Sequence, residues 1–250
     1  MIKQFCIFIL AMPLLFLSCD IVEGGGSDGS SSSSGKTESQ KNGIVTFYTT
    51  YNEDSVAYYT PELENGWYKC AVSENKLGEF PPQSAARITH NGKTIRVLVT
   101  DLCPNAGNSQ WTSNSNYFFD LAKNAFAALD DTVKGHIDVS IQRIAYETNR
   151  NIKFAVKEGS NQWWLGGRFY NMRYPLAKVE YSSNGNDFKE MKKDSGNDNN
   201  WWKVQSEPCE NLMSNLTFRL TDVYGNTITC NAIGNLSVGG TYDLGANFNY

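Results

Sequence analysis

Thr94-Ile95-Arg96-Val97-Leu98-Val99-Thr100-Asp101-Leu102-Cys103-Pro104 is the stretch from which the fold is read. Thr94–Thr100 is a β-branched run introduced by the turn pair Asn91-Gly92, and it ends on an aspartate just ahead of a proline; this reads as a buried strand closed by a turn. Working outward, Ile44–Tyr48, Arg87–Ile88 and Ile137–Ala145 carry the same β signature. One helix interrupts them: Leu121, Ala125, Ala128 and Leu129 share a helical face, and Asp120 stands where an N-cap belongs. Beyond Glu147–Asn151, short strands are expected at Ile152–Val156, Trp163–Tyr170, Ala177–Tyr181, Trp201–Val204, Leu216–Leu220 and Thr227–Asn231. Turns at Ser183-Asn184-Gly185 and Tyr224-Gly225-Asn226 give these strands the spacing of a sandwich. The simplest organisation is two all-β domains, residues 43–147 and 148–250.

The N-terminal residues are of another kind. Residues 1–19 hold an apolar run from Phe5 to Leu17, too short to span a bilayer as a mature helix, and end at Phe16-Leu17-Ser18-Cys19. This is an export signal of lipoprotein type, with Phe16 where leucine is usual and Cys19 as the expected lipidated residue; the alternative is an ordinary signal peptide beside an incidental cysteine. Residues 20–42, with Gly24-Gly25-Gly26 and five consecutive serines, lack the apolar residues to build a core and read as a flexible tether from a membrane. The expected location is therefore exported, anchored to the cell envelope or surface, or else secreted.

Composition limits the function. The 250 residues carry a net charge of −4 and no basic block, which argues against a nucleic-acid partner. Residues 43–147 hold 8 basic and 12 acidic residues, against 11 and 10 in 148–250, so the acidity lies in the first half. Aromatic residues make up 13% of the chain, which suits β structure and flat binding surfaces. Only two histidines are present, His90 and His136, and no Cys-x-x-Cys pair, so neither a metal site nor a cofactor is expected. In an oxidising compartment Cys70, Cys103, Cys209 and Cys230 read as disulfide formers, with Cys70–Cys103 and Cys209–Cys230 the pairings in chain order. No histidine falls beside a serine or cysteine in a recognisable nucleophilic arrangement.

Four groups of residues, taken in order, resemble the bacterial expansins over residues 43 to 250: Val99-Thr100-Asp101-Leu102-Cys103-Pro104; Phe119-Asp120-Leu121 with Asn124-Ala125-Phe126; Lys157-Glu158-Gly159-Ser160-Asn161-Gln162-Trp163-Trp164; and Tyr174-Pro175-Leu176-Ala177-Lys178-Val179-Glu180-Tyr181. The resemblance implies a six-stranded double-psi β-barrel followed by an immunoglobulin-like β-sandwich that serves as a carbohydrate-binding module. It implies cellulose and matrix polysaccharides as partners of a monomer, and wall loosening without hydrolysis or cofactor. It carries Thr46, Asp101 and Asp120 over as groove residues that engage glycan, with Asp101 the one on which loosening depends. Trp163 and Trp164 carry over as cellulose-binding, with a third aromatic from Trp201 or Trp202. Lys157, Lys178 and Lys203 would border that face and meet acidic wall polymers.

Two points qualify the likeness. The resembled bacterial sequences have tyrosine where this chain has Cys103, and Trp111 and Tyr117 in the insert 105–117 are the residues that would restore an aromatic contact. An inverting glycosidase needs an acid and a base carboxylate about 6.5–9.5 Å apart. Asp120 can be the acid, but the first strand, Val45–Thr50, has no base, and Glu53 and Asp54 come only in the following turn. Hydrolysis is therefore disfavoured. A lytic transglycosylase acting on peptidoglycan, which manages with one aspartate, and a purely polysaccharide-binding lipoprotein are the alternatives.

Overall fold

The computed structural model describes residues 36, 38–49, 57–58, 62–194, 200–205 and 211–250. Residues 1–35 lie outside this set, so the export signal, Cys19 and most of the expected tether are not among the described residues, although Lys41 and Asn42 at its end belong to the first strand; nor are Glu53, Asp54 and Cys209 described.

The first half is a closed barrel of six strands: β1 (Lys41–Tyr48), β2 (Trp67–Ser73), β3 (Ala85–His90), β4 (Lys93–Cys103), β5 (Tyr117–Ala122) and β6 (His136–Ile144). Their order around the barrel is β1-β5-β2-β4-β3-β6, with β1–β5 and β2–β4 parallel and the other pairs antiparallel. A short helix α1 (Ser109–Thr112) lies before β5, and helix α2 (Lys123–Leu129) follows it. Alternation along each strand sends Val45, Val72, Val97, Val99, Phe119, Leu121 and Ile141 inward, where Ala125, Phe126 and Leu129 of α2 pack against the same core. Burying that apolar face, more than intrinsic propensity, holds a helix of only 7 residues.

Two expectations are corrected here. Asp120 is not a helix cap: it lies in β5, and the N-cap of α2 is Ala122, with no side-chain capping bond. The cause is tertiary, because parallel pairing with β1 extends through Tyr48 opposite Ala122 and keeps the backbone extended to that point. The second correction concerns Cys70 and Cys103, which are free thiols. β2 pairs with β4 so that Cys70 faces Val99 while Cys103 faces Ser73. The two cysteines are thus three residues apart along paired strands, roughly 10 Å, beyond the Cα separation a disulfide spans. Cys70 also points into the barrel core, whereas Cys103 packs with Ala71 and Tyr117. Cys230 is a buried free thiol in the core of the second half.

The second half is a two-sheet sandwich, so the all-β class is borne out. Its strands are β7 (Lys153–Val156), β8 (Trp164–Tyr170), β9 (Leu176–Ser182), β10 (Lys189–Glu190), β11 (Lys192–Lys193), β12 (Trp202–Gln205), β13 (Ser214–Asp222), β14 (Thr227–Thr229), β15 (Ile233–Asn235) and β16 (Thr241–Asp243). One sheet runs β10-β9-β13-β14, with β15 also on β13, and the other runs β11-β12-β8-β7-β16. Between them Phe154, Phe169 and Phe218 form a tight trio, with ring centroids 4.7–5.3 Å apart.

Barrel and sandwich meet through polar contacts. The Tyr146 N–H donates to the Arg173 carbonyl at 2.8 Å, and the Thr148 hydroxyl to Glu64 Oε1 at 2.7 Å.

Candidate functional site

Two surfaces gather the residues singled out above. The first is a row across four barrel strands. Asp101 on β4 pairs with Ala71 on β2, Ala71 with Asp120 on β5, and Asp120 with Thr46 on β1. Paired residues on neighbouring strands project to the same face, so both acids and the threonine share one side of the wall, with only a methyl group between the aspartates. A register irregularity places Asp101 in the row. The β2–β4 pairing jumps from Cys70–Val99 to Ala71–Asp101, passing over Thr100, and bulges of this kind re-aim side chains beside functional sites.

The two carboxylates are held differently. Asp101 Oδ1 accepts from the Ala57 N–H at 3.0 Å and the Leu102 N–H at 2.8 Å. Burial pushes its proton affinity up, and those two backbone donors oppose the shift. Asp120 Oδ1 accepts from the Thr46 hydroxyl at 2.6 Å. Burial raises the Asp120 pKa to about 6, against the pull of Thr46 and with some help from the charge on Asp101. Asp120 thus has the proton affinity of a group able to give or take a proton near neutrality.

Tyr48, which alternation puts on the same face as Thr46, lies in the field of both aspartates; burial, with lesser contributions from Cys70, Asp101 and Asp120, keeps its phenol protonated. It was not singled out from the sequence, although the two-residue period from Thr46 could have found it. Tyr117 does not offer a sugar-stacking ring as expected, because it is 1% exposed. Its hydroxyl lies 2.8 Å from Thr46 Oγ1, and Trp111, half-buried, packs over it with centroids 6.1 Å apart.

The second surface is the outer face of the β11-β12-β8-β7-β16 sheet. Trp163 precedes β8 in a tight turn, where its N–H donates to Asn161 Oδ1 at 2.9 Å, and its side chain is 64% exposed. Trp164 opens β8 and is half-buried. Adjacent tryptophans share the surface because the first stands outside the strand, which then runs on undistorted through Gly166-Gly167. β8 pairs regularly with β7 and β12 through these glycines. The glycines make room instead: a Cβ at Gly166 would come 2.7 Å from the Trp164 ring, and one at Gly167 would come 2.0 Å from the Phe154 ring.

The third aromatic is Trp201. It is half-buried, with the Arg168 guanidinium 3.8 Å and Lys157 Nζ 4.9 Å from its ring. Trp202 is corrected from a binding-face residue to a core residue, since it pairs with Gly167, points inward and is 5% exposed. Arg168 escaped the sequence reading, although it stands four residues after Trp164 on the same strand face, roughly 13 Å away. Lys203 lies beside this face, paired with Asp194 at 2.8 Å. Lys178 does not border it: Lys178 belongs to β9 in the other sheet and pairs with Glu180 at 3.0 Å. Among the described residues no group of three or more His, Cys, Asp or Glu side chains is arranged to hold a metal ion.

Residues 58–141 match the family described as "Lytic transglycolase". The chain is 28% identical over 173 residues to Expansin-YoaJ of Bacillus subtilis, an alignment spanning 67% of this chain and 61% of that protein. It is 30% identical over 128 residues to Expansin-like protein 6 of Dictyostelium discoideum, spanning 50% and 40%. The chain therefore covers less than two thirds of the length of either of these curated relatives. Among solved structures, the apo Clavibacter michiganensis expansin superposes with a TM-score of 0.66 at 22% identity, covering 84% of this chain and 98% of that one. An aspartate-to-asparagine variant of the same expansin, solved in complex with cellohexaose, superposes equally well. The shared fold and the curated relatives bear out the resemblance to bacterial expansins, and with it a barrel followed by a β domain.

Proposed function

We propose that this expansin-like chain is a nonhydrolytic wall-loosening protein. Its sandwich, residues 148–250, binds cellulose through Trp163, Trp164 and Trp201, and its barrel, residues 43–147, engages a glycan strand along Thr46, Asp101 and Asp120. The observation that carries the reading is an indole 64% exposed at the head of β8, followed by the half-buried indole of Trp164, with the half-buried Trp201 beside Arg168 of the same strand. A soluble protein leaves such a surface uncovered where a flat partner is to stack on it. The relative solved with cellohexaose supports a glucan as that partner.

In the groove, a raised-pKa acid beside a second carboxylate binds hydroxyl-rich chains by accepting and donating hydrogen bonds. Prying a glucan from its neighbours needs only those bonds, exchanged for bonds within the wall. Export through the residue 1–19 signal, a lipid anchor at Cys19, the 20–42 tether and a monomeric state complete the proposal.

The test measures retention on insoluble cellulose, reducing-end release, and extension of wall strips under load. Retention and extension without release are expected, with extension lost and retention kept in Asp101→Asn. Sustained release lost in Asp120→Asn would overturn the nonhydrolytic reading.

A second reading has its own support in the family matched by residues 58–141 and in the Asp120 pKa of about 6, which suits a single general acid. Under that reading the protein cleaves peptidoglycan and leaves anhydro-muropeptides. Their appearance, abolished in Asp120→Asn, would favour it over wall loosening.

A further inference from the structure

Thr46 has one hydroxyl proton, and in the 2.6 Å contact with Asp120 Oδ1 that proton goes to the carboxylate. In the 2.8 Å contact with Tyr117 the Thr46 oxygen must then accept, and the Tyr117 O–H donates. The Tyr117 oxygen is left to accept from the Cys103 thiol at 3.6 Å. The order Cys103, Tyr117, Thr46, Asp120 is thus a directed chain of donors drawn from β4, β5, β1 and β5. Thr46 is 6% and Tyr117 1% exposed, so water does not readily substitute for either partner. The small side chains of Ala71 and Cys103 form one packed cluster with the Tyr117 ring, against which Trp111 rests.

We infer that Tyr117 is a positioning residue for the groove acid: its hydroxyl fixes Thr46 in the orientation that donates to Asp120, and Cys103 supports Tyr117 from behind. A hydroxyl that is itself receiving a hydrogen bond is a stronger donor, so the pair acts on Asp120 more than Thr46 would alone. Tyr117 holds and polarises the group that touches Asp120 and makes no contact of its own with glycan.

The test is a carboxyl NMR titration of Asp120 in the full-length protein. The titratable groups that face Asp120 are Asp101 and Cys103 from β4, Tyr48 from β1 and Tyr117 on its own strand, and Cys70 of β2, on the core side of the wall, feels its charge. Burial keeps the thiols and phenols neutral at pH 6, so Asp101 is the one that couples, and every variant is repeated in an Asp101→Asn background. The Tyr117→Phe substitution should raise the proton affinity of Asp120 about threefold and Thr46→Val about tenfold, a tenfold change being one pKa unit. Tyr117→Phe added to Thr46→Val should change nothing further, whereas Thr46→Ser, which keeps the hydroxyl, should titrate like the parent. An unchanged Asp120 in Tyr117→Phe, an equal shift in the Thr46→Val background, or a Thr46→Ser protein that titrates like Thr46→Val would overturn the inference. Should Tyr117→Phe not fold, the Tyr117 hydroxyl proton is followed by NMR in the parent and in Thr46→Val, and an identical resonance in both would overturn the inference. The functional arm rests on the proposed groove: the pH dependence of wall extension should move with the Asp120 titration. If the titrations shift as stated but no variant extends walls at any pH, the proposed function fails while the positioning role stands.

Discussion

The barrel groove and the sandwich face, the two surfaces on which the proposed function rests, are built on opposite principles. In the groove, polar groups are buried and tied in advance, as where Thr46 holds Asp120 and two backbone donors hold Asp101. On the sandwich face Trp163 stays uncovered, Trp164 and Trp201 are half-buried, and Arg168 and Lys157 lie against the Trp201 ring. Burial gives the groove its unusual proton affinities and makes each of its contacts depend on the next. Under the proposed function, exposure would give the face an adhesion that hardly depends on pH and can be divided among its rings. Each surface is therefore vulnerable in its own way, the groove to loss of a single hydrogen bond and the face to loss of area.

The sharpest contrast lies between neighbouring indoles. Trp202→Ala should cost about 3–5 kcal/mol of stability, as large-to-small changes in a core do, whereas Trp201→Ala should cost less than about 1 kcal/mol. Urea unfolding compares them, and equal losses would dissolve the distinction between core and face.

The next effect separates the surfaces by pH. Asp120 binds its proton more tightly folded than unfolded, since its pKa rises from 3.8 to about 6. The folded state is therefore favoured by protonation, and stability falls as pH rises from about 4 through 6. Asp120→Asn should accordingly gain on the order of 3 kcal/mol at pH 7, with no gain below about pH 4. Retention on cellulose should be flat over that range. Unfolding curves at the two pH values provide the check, and an equal gain at both would remove the titration from the explanation.

Adhesion comes third in size. Trp163→Ala with Trp164→Ala should weaken retention on cellulose by about ten- to a hundredfold, as expected from about 1.4–2.8 kcal/mol of lost aromatic contact. Asp101→Asn should stay within about twofold of the parent, since under the proposed function the sandwich face carries the retention and Asp101 stands in the barrel groove. Depletion isotherms measure both, and a large loss in Asp101→Asn would mean the groove supplies the adhesion.

The smallest effect concerns the thiols. A bridge between Cys70 and Cys103 would contribute about 2–4 kcal/mol, so the barrel should show less than about 0.5 kcal/mol of change on adding reductant if both are free. Calorimetry with and without reductant measures it, and a large drop would restore the disulfide.

Much of the fold was legible because burial leaves a local trace. The runs at 44–48, 87–88, 94–100 and 137–145 mark β1, β3, β4 and β6, since strands with a buried face advertise it in branched residues two apart. β2 was not read, and β5 was absorbed into a helix starting at Leu121. Asp120 sits where a cap would, and nothing local distinguishes a cap from a strand end continued by parallel pairing with β1. The site was legible as a set of residues but not as an arrangement. Asp101, Asp120 and Thr46 were named, yet their common row depends on Ala71 and on a register irregularity past Thr100.

From the sequence alone came the all-β class, the motifs of the expansin likeness, the acids of the groove and the indoles of the face, because residue chemistry and two-residue periodicity are properties of the chain. Only the tertiary structure decided that Trp202 is core and Trp201 surface, that Cys70 and Cys103 stand apart, and that Tyr117 lies behind Thr46. Each of these depends on strand register and on which side of a wall a side chain falls, and a shift of one residue in pairing would reverse it.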